Sequence, residues 1–478
     1  MIRSSPIKLF AQRKVFNKMI GRKFRLFVIG LPVMIVILLP VHVSWRDPQL
    51  KGISLGRIAN VWARAPLSVK KFGAKGDGVH DDSAAISAVF DAARSGDVIS
   101  FPAGIYICND VNVANKSDLT LKGQGNSTII RNGITNGTTP VLTFATVNGL
   151  TIQDLAFDNR SIGAYGGVRF YDTENVLINR TRFFDSAPLP LGSTDRYSYV
   201  FGNGSRPHKN IRITNNVIDD LQLEVDFGQG VTIQKNTLNR SVRTGAIGLF
   251  TIDDGVVLEN YLIDGNTIID PVGAAIAVNI DPPDNINVTI RNITISNNTI
   301  LFNRIPTEAV HIGPGNNSVV ASGNLYDKIT VQTNLIQVAA GAESQPSESA
   351  LIKFNAGPNS ALSFKNTTIA QNRIEGGGNP ALPIIAMDIR YLENSAVTAN
   401  NVYNLFTAVA FNRLQNTSIE QNYVGQLADY FVYLLDNSRG GNLFRSNSYS
   451  GQVTTPLSYE NGNPTDVIFP PTLTTTSK

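Results

Sequence analysis

The stretch Ile295-Ser296-Asn297-Asn298-Thr299-Ile300 carries a pattern that recurs along most of the chain. The pattern is an aliphatic residue, two variable positions, an asparagine, one variable position and a second aliphatic or aromatic residue. Its asparagines are Asn216, Asn236, Asn266, Asn298, Asn372, Asn400, Asn422 and Asn447. The runs around them have the length of strands, and no repeat contains an amphipathic run long enough for a helix. Because coils of roughly 20–30 residues bury a core by stacking, the pattern predicts an all-β chain, a parallel β-helix of about a dozen coils.

The recurring asparagine is expected at a fixed turn of each coil. There it tolerates left-handed backbone and can form a ladder of side-chain amides with the next coil. A weaker copy centres on Asn324, and the interval to Asn372, 372 − 324 = 48 residues, predicts two turns of about 24 residues with a loop over 341–349. The sequence shows neither the four-stranded repeats of a propeller nor the regular leucines of a leucine-rich repeat.

The segment before the repeats predicts a cap for the coils. Asp81 or Asp82 precedes a run whose apolar side chains, including Ile86 and Phe90, fall on one helical face. A helix here would cover strand edges that an open β-helix leaves unpaired. We interpret Asp77, Asp81 and Asp82 as turn and capping residues rather than as a metal cluster.

The same segment carries a family resemblance. Its motifs are Phe72-Gly73-Ala74, Gly76-Asp77-Gly78, Asp81-Asp82, Ala85-Ile86 and Phe101-Pro102-Ala103-Gly104. They resemble the opening segment of the pectate-lyase superfamily, in particular the rhamnogalacturonase and epimerase-like domains and the polygalacturonases. The resemblance implies a single-stranded right-handed parallel β-helix over 67–455, with its opening segment and capping helix at 67–106 and a C-terminal tail at 456–478. It also implies action on acidic or complex polysaccharides by hydrolysis, β-elimination or epimerisation.

The N-terminus has the features of a membrane anchor. Residues 1–25 hold eight cations and no acid, and the uncharged stretch 26–45 is about long enough to cross a bilayer as one helix. The cations predict that residues 1–25 are cytoplasmic. We expect a single-pass type II protein of the cell inner membrane, with 46–66 as a tether and the β-helix on the periplasmic side. A cleaved signal peptide is the alternative, although the apolar run is long and no A-x-A-like site follows it.

Charge and composition exclude several classes of function. Without the eight N-terminal cations and Arg46, 41 − 9 = 32 basic residues face 37 acids, so the body is acidic and nucleic-acid binding is not expected. The single cysteine, Cys108, precludes an intrachain disulfide. The four histidines lie far apart in the sequence, so a histidine-rich metal site is not expected.

Acidic residues concentrate after the first strong repeat. Residues 216–223 resemble the Gly-Asp-Asp motif of polygalacturonases, which implies that Asp219 and Asp220 are the acid and the base. Arg243 follows about one coil later, but Thr244 stands where that family has histidine. Hydrolysis by this pair would need no cofactor. A lyase would instead use Arg243 and possible Ca²⁺ held by aspartates.

Further residues are predicted to bind substrate beside that pair. They are Glu224, Asp226, Asp253, Asp254, Tyr197 and Tyr199, the last two as surfaces on which sugar rings stack. The insertion 185–206 could wall a cleft. The alternative is that the acids cap turns and are neutralised at the surface by Arg240 and Arg243.

Glu308 and His311 form a second candidate site, although the sequence favours a position for His311 at a coil corner or in solvent.

Two functions fit these features. The first is a membrane-anchored, extracytoplasmic polysaccharide-active enzyme, a glycoside hydrolase or polysaccharide lyase of exopolysaccharide metabolism. The second is a non-catalytic carbohydrate-binding scaffold in a polysaccharide export assembly. A trimeric tailspike-like fibre shares the coil architecture, but the basic N-terminus and the apolar span argue against it. The expected partners are the polysaccharide and the membrane, and the sequence indicates no oligomeric state.

Overall fold

The structure is a computed structural model. It describes residues 64–133, 139–160, 167–187, 197–202, 204–241, 245–250, 253–278, 287–314, 324–343, 349–355, 362–377, 384–405, 407–425, 428–435, 441–450, 453–460, 467–468 and 474–475. The predicted cytoplasmic segment, the predicted membrane span 26–45 and most of the predicted tether lie outside these ranges. Within them, no helix is long and apolar enough to cross a membrane.

The described strands form three sheets in which every pair of neighbouring strands is parallel. Sheet 1 has 17 strands, sheet 2 has 15 and sheet 3 has 13, and the chain visits sheets 1, 2 and 3 in turn. The thirteen strands of sheet 3 therefore mark thirteen complete coils among the described residues, which agrees with the predicted dozen.

The strands of sheet 1 are Leu67–Ser68, Val98–Ser100, Ser117–Lys122, Asn148–Gln153, Glu174–Asn179, His208–Thr214, Gly228–Gln234, Val257–Asp264, Thr289–Ser296, Leu325–Gln332, Phe364–Lys365, Thr368–Ala370, Leu392–Glu393, Ala396–Thr398, Ser418–Glu420, Asn442–Arg445 and Val467–Ile468. Those of sheet 2 are Asp77–Asp81, Gly104–Cys108, Thr128–Asn132, Ala156–Asp158, Arg182–Phe184, Val217–Asp219, Thr237–Asn239, Thr267–Ile269, Thr299–Phe302, Leu335–Val338, Arg373–Glu375, Asn401–Tyr403, Tyr423–Gly425, Ser448–Ser450 and Thr474–Thr475. Those of sheet 3 are Val111–Ala114, Leu142–Ala145, Val168–Tyr171, Tyr197–Phe201, Gln222–Val225, Gly245–Leu249, Ala274–Val278, Val310–Ile312, Ser349–Phe354, Ile384–Arg390, Thr407–Asn412, Ala428–Leu435 and Val453–Glu460. Because pairing continues past residue 455, the last coils include residues that we assigned to a tail.

Two short helices lie near the start of the coils. A 3₁₀ helix covers Val69–Phe72, and the α-helix predicted as a cap covers Ser83–Ala92. Its side chains Ile86, Val89 and Phe90 are buried, and Phe90 meets the ring of Phe144 edge-on at 6.1 Å. The helix thus adds its apolar face to the core of the first coils.

The three aspartates of the opening segment serve turns, as predicted. Asp82 accepts hydrogen bonds from the backbone N–H groups of Lys75 and Gly76, at 2.6 and 3.0 Å. Asp81 accepts the backbone N–H of Ser83, and Asp77 accepts that of His80. Backbone donors consume the lone pairs that a metal would need.

The repeated asparagines form a buried ladder between sheets 1 and 2. At a typical rung, Asn298 Oδ1 accepts the backbone and side-chain N–H groups of Asn266, at 2.9 and 3.0 Å, while its Nδ2 donates to the carbonyl of Ile263. We expected left-handed backbone at the ladder asparagine itself. It occurs instead at the residue before it, for example at Asn297 with φ 54°. The asparagine recurs because its amide satisfies polar groups of two coils at once.

One rung of the predicted ladder was placed wrongly. Asn298 bonds to Asn334, and Asn334 to Asn372, so Asn324 is not a member. The intervals are 334 − 298 = 36 and 372 − 334 = 38 residues. No interval of 48 residues remains, and each of these coils is longer than 24 residues because its loops are long.

The three corners of the coil differ in length. From Asp154 to Asn447 each connection from sheet 1 to sheet 2 has two residues, as in 215–216. Connections into sheet 3 range from two residues, 220–221, to twelve, 185–196, and those out of it reach twelve at 313–324. The longest connections therefore lie at the two edges of sheet 3. Loops in such positions often carry functional residues.

Candidate functional site

The outer surface of sheet 3 collects ionisable side chains. Alternate residues of its strands point into the core, so the residues between them point outward. The register aligns one outward row across the coils: Arg169, Val200, Glu224, Gly248, Ala277, His311, Lys353 and Asp388. We call the outward residues of this sheet the sheet-3 face.

The predicted acidic patch divides into two groups in the structure. Asp219 and Asp220 lie at the corner where sheet 2 ends, whereas Glu224 and Asp226 lie on and just after the next strand, Gln222–Val225, on the sheet-3 face. We call these the corner group and the face group.

In the corner group, Asp219 is held by neighbouring coils. Its carboxylate accepts a hydrogen bond from Arg182 Nε at 3.0 Å and one from Asn239 Nδ2 at 2.7 Å. The side chain is 17% exposed.

Asp220 is more deeply placed and has left-handed backbone, with φ 61°. It pairs with Arg240 Nη2 at 2.9 Å. Burial raises the pKa of Asp220 above its ordinary value; Arg240 opposes this, and the negative charges of Asp219 and Asp185 add to it. Asp185 was not predicted, although it closes the preceding sheet-2 strand just as Asp220 closes its own.

In the face group, two carboxyl groups lie against each other. Asp226 is 7% exposed, and Glu224, two residues earlier, is partly exposed and accepts a hydrogen bond from Gln222 Nε2 at 3.0 Å. Burial raises the pKa of Asp226 well above its ordinary range, and the charge of Glu224 and the hydrogen bond between the two side chains raise it further. Asp226 therefore keeps its proton to higher pH than a free aspartate does.

A cation and an aromatic ring accompany this pair. The charge of Arg169 acts on Asp226, and Arg169 Nη1 donates to the Tyr171 hydroxyl at 3.1 Å. On the other side, Phe250 donates its backbone N–H to Asp226, at 3.3 Å, and its ring lies across Gly248. Arg169 lies two coils before Glu224 in sequence, so only the register of the coils reveals it.

The two predicted tyrosines have different positions. Tyr197 is partly exposed and pairs with Gln222 across the strands of sheet 3. Tyr199 is fully buried between the rings of Phe157 and Phe183, and its hydroxyl bonds to Thr181 at 2.6 Å. As placed, Tyr199 is a core residue and cannot stack on a sugar, because it points into the coil.

The remaining predicted residues lie apart from the face group. Asp254 accepts the backbone N–H of Asn287 at 2.7 Å, a hydrogen bond that lowers the pKa of Asp254, so it serves a turn. Asp253 is exposed beside it. Arg243 and Thr244 lie outside the described residues.

The acids of the patch do not fit a calcium site. Ca²⁺ takes six to eight oxygen ligands. Asp219 and Asp220 are each engaged by an arginine, and Glu224 and Asp226 are hydrogen-bonded to each other near Arg169. Over the described ranges, groups of three or more possible metal-ligating side chains do not occur.

A cleft of about 630 Å³ lies elsewhere, along sheet 2 and its corner with sheet 3. Its lining includes Arg373, Glu375 and Tyr403, and the Arg373 guanidinium sits 5.1 Å from the centre of the Tyr403 ring. The cleft shares no residue with either acidic group.

In the second candidate pair, His311 lies on the sheet-3 face, in strand Val310–Ile312, and Glu308 lies in the connection just before that strand. His311 is 7% exposed, so the expectation of a solvent or corner position was wrong. It sits in the outward row between Ala277 and Lys353.

Comparisons with known proteins agree with this architecture. Residues 67–142 match the family described as rhamnogalacturonase A/epimerase, pectate lyase-like. Over 241 residues the chain is 32% identical to the plasmin and fibronectin-binding protein A of Streptococcus pneumoniae, a match that covers 47% of this chain and 30% of that protein. The chain thus spans under a third of the length of this relative.

Two solved structures show the same fold. The surface adhesin PfbA of Streptococcus pneumoniae is similar with a TM-score of 0.54 and 18% identity, covering 83% of this chain and 91% of the other. The A-module of the mannuronan C-5 epimerase AlgE6 of Azotobacter vinelandii is similar with a TM-score of 0.51 and 17% identity, covering 85% and 100%. The opening motifs, the family match over 67–142, the three parallel sheets and these two structures support the fold of a pectate-lyase-like right-handed parallel β-helix.

Proposed function

We propose that this chain is a membrane-anchored, extracytoplasmic enzyme that cleaves glycosidic bonds of an acidic or complex polysaccharide, in exopolysaccharide metabolism. The match of its opening segment and the similarity to an epimerase module support a polysaccharide as the partner. The uncharged stretch 26–45 after eight cations supports the anchor and the periplasmic position of the β-helix.

The observation that carries the proposal is the carboxyl pair Glu224 and Asp226 on the sheet-3 face. Strongly shifted pKa values beside a specific charge are typical of functional sites, because proton transfer needs a group that titrates near the working pH. Glu224, the more exposed partner, contacts the substrate and moves the proton. Asp226 positions Glu224 through the hydrogen bond between their side chains. The two carboxyl groups lie too close together to flank a glycosidic bond as two independent groups.

The neighbours of the pair suit an acidic sugar chain. Arg169 supplies positive charge next to the carboxyl pair and can neutralise a uronate carboxylate. The partly exposed ring of Phe250 offers an apolar surface for a sugar ring beside Asp226. The corner group remains the alternative acid–base pair, since the pKa of Asp220 is also raised.

Turnover by the full chain decides between the two groups. We would measure unsaturated uronate absorbance, which reports elimination, and new reducing ends, which report hydrolysis, over a panel of acidic and neutral polysaccharides. Glu224→Gln should lower the rate at least roughly a hundredfold. Glu420→Gln is the matched control, because Glu420 is ion-paired to Arg445 on sheet 1, far from this face. Loss of turnover in Asp219→Asn and Asp220→Asn, with Glu224→Gln unaffected, would move the site to the corner group.

A second function, a non-catalytic binding β-helix, is supported by the similarity to a surface adhesin and by the aromatic-lined cleft at Tyr403. It predicts saturable polysaccharide binding without new reducing ends or unsaturated products from any polysaccharide of the panel. In that case Tyr403→Ala should weaken binding and Glu224→Gln should not.

A further inference from the structure

Two histidines are buried in the described coils, and they differ in one respect. His208 is fully buried, and both ring nitrogens have partners: Nδ1 lies 2.9 Å from Thr173 Oγ1 and Nε2 lies 2.9 Å from the Gly202 carbonyl. His311 has a partner at Nδ1 only. Its Nε2 is buried and has no hydrogen-bond partner among the residues that the structure describes.

The sequence places the His311 ring outward. Val310 and Ile312 belong to the core, so the residue between them points to the opposite side of the strand, onto the sheet-3 face. Its neighbour in the preceding coil is Ala277, which has a small side chain. On the following coil it adjoins Lys353.

Two charged groups fix the ring. Glu308 Oε2 lies 2.6 Å from His311 Nδ1, and Glu308 Oε1 accepts a hydrogen bond from Lys353 Nζ at 2.9 Å. Burial raises the pKa of Glu308, but the contacts with His311 and Lys353 lower it by more, to about 2. Glu308 therefore acts as the hydrogen-bond acceptor in both contacts. Because Glu308 Oε2 accepts the hydrogen at Nδ1, Nε2 carries a lone pair in a neutral ring and an N–H in a protonated one, and a hydroxyl group can bond to either.

We propose that His311, oriented by Glu308 and Lys353, is a second ligand-contacting residue of the sheet-3 face, and that its Nε2 forms a hydrogen bond with a hydroxyl of a bound sugar unit. A buried polar atom without a partner costs folding free energy, and a hydroxyl of a ligand on the sheet-3 face would supply the partner that His311 Nε2 lacks. The orphaned nitrogen is thus the observation that distinguishes His311 from His208.

This inference deepens the proposed function and rests on it. Between Glu224 and His311 the outward row passes Gly248 and Ala277, three strand spacings or about 14 Å. A single sugar unit cannot contact both residues over that span. The two contacts therefore assign a polysaccharide that lies along the coil axis and is bound over several consecutive units.

The test uses the full chain and oligomers of mannuronate, galacturonate and glucose as probes. His311→Asn keeps an amide donor for Glu308 and removes the atom at the Nε2 position. We expect roughly tenfold weaker binding of at least one oligomer, because a site that hydrogen-bonds a hydroxyl group loses affinity when its own hydrogen-bonding atom is removed. Asn401→Ala is the control, because Asn401 lies on sheet 2 and its side chain only donates to the Ala399 carbonyl, at 3.5 Å. This substitution leaves the sheet-3 face unchanged.

A second measurement does not depend on how the variant folds. In the wild-type chain, the ¹⁵N resonance of His311 Nε2 should shift when the binding oligomer is added. The His208 signals should stay in place. An Nε2 signal of His311 that no oligomer shifts, or a dissociation constant unchanged in folded His311→Asn, would overturn the inference. Retained turnover in Glu224→Gln with weakened binding in His311→Asn would instead reject the proposed catalytic pair alone.

Discussion

Asp226 combines two properties that rarely coincide in a structural residue, since it is 7% exposed and lies against a second carboxyl group. Turn-capping acids of this chain, such as Asp254, have lowered pKa values because backbone N–H groups stabilise their charge. The pKa of Asp226 is raised instead. At neutral pH this residue therefore lowers the free energy of unfolding, which a turn-capping aspartate does not do.

This destabilisation predicts a pH dependence for Asp226→Asn. The folded chain keeps the Asp226 proton where the unfolded chain loses it, so this stability is complete below the ordinary value of 3.8 and is lost as pH rises through the raised pKa. The asparagine mimics the protonated acid and does not titrate. At pH 7 its free energy of unfolding should exceed that of the wild type by roughly 1–3 kcal/mol, with the gap closing near pH 4. Urea titrations at several pH values measure this, and a gap independent of pH would contradict it.

Glu308→Gln should show the opposite trend. The pKa of Glu308 is lowered to about 2, so its stabilising charge is fully effective above the ordinary value of 4.5 and is lost as pH falls through 2. At pH 7 we expect the variant to be less stable by up to about 3 kcal/mol, a gap that disappears by pH 2. Glu420→Gln, at an exposed ion pair, should change stability by under about 1 kcal/mol. Equal losses in both variants would show that the Glu308 contacts are not special.

Between strands, the corners from sheet 1 to sheet 2 repeat with two residues each, and their roles are separate. The first residue takes left-handed backbone, as Ala399 does with φ 53°, and the second is the buried ladder asparagine, here Asn400. Each role can be tested by its own substitution.

The backbone role predicts that Ala399→Gly stabilises the chain. Left-handed backbone costs a non-glycine residue about 1–2 kcal/mol, more than the entropy that glycine adds to the unfolded state, so we expect a net gain of about 0.5–1 kcal/mol. Ala396→Gly, in the strand just before, should lose a similar amount. Urea unfolding of both variants is the measurement, and effects of the same sign would contradict the assignment.

The ladder role predicts a large loss for Asn298→Ala. The substitution removes the acceptor of two Asn266 N–H groups and the donors to Ile263 and Asn334, all buried. We expect a loss of roughly 2–5 kcal/mol. Asn401→Ala, partly exposed on sheet 2, should cost under about 0.5 kcal/mol. A small loss at Asn298 in the same unfolding assay would mean that the ladder does not hold the corner.

This regular corner explains what the sequence could predict. The two-residue turn and its buried amide leave a spacing in the chain, so the coils and their approximate number were predictable. Asn334 was not predicted, although Val331-Gln332-Thr333-Asn334-Leu335-Ile336 fits the pattern, because Asn324 follows Asn298 at an interval, 324 − 298 = 26 residues, closer to that of the other repeats. The face group was only half predictable. The acids are close together in the sequence and were predicted. Arg169 reaches them only because coils joined by loops of unequal length stack on one another, and the spacing of residues in the sequence does not reveal that register.

Across the molecule, function is expected on one side of the coils. Sheets 1 and 2 meet at uniform short corners, and the long connections flank sheet 3, whose outward row holds Glu224, His311 and Lys353. In the proposed function the N-terminal anchor holds the chain at the membrane. The anchor is therefore part of the functional proposal and needs its own test.

The anchor predicts where the full chain is found and what size it has. With residues 26–45 as an uncleaved span, the chain should stay in the membrane fraction through high-salt washing, leave it with detergent and migrate at full length. Lysine at Ile35 and Leu38 should release it, because each charge costs about 2.5–3.5 kcal/mol at the centre of a span. Lysine at Ile53 and Ile58, in the predicted tether, adds the same charge and should leave the chain in the membrane. A wild-type product shortened by about 45 residues and free in the periplasm would replace the anchor with a cleaved signal peptide.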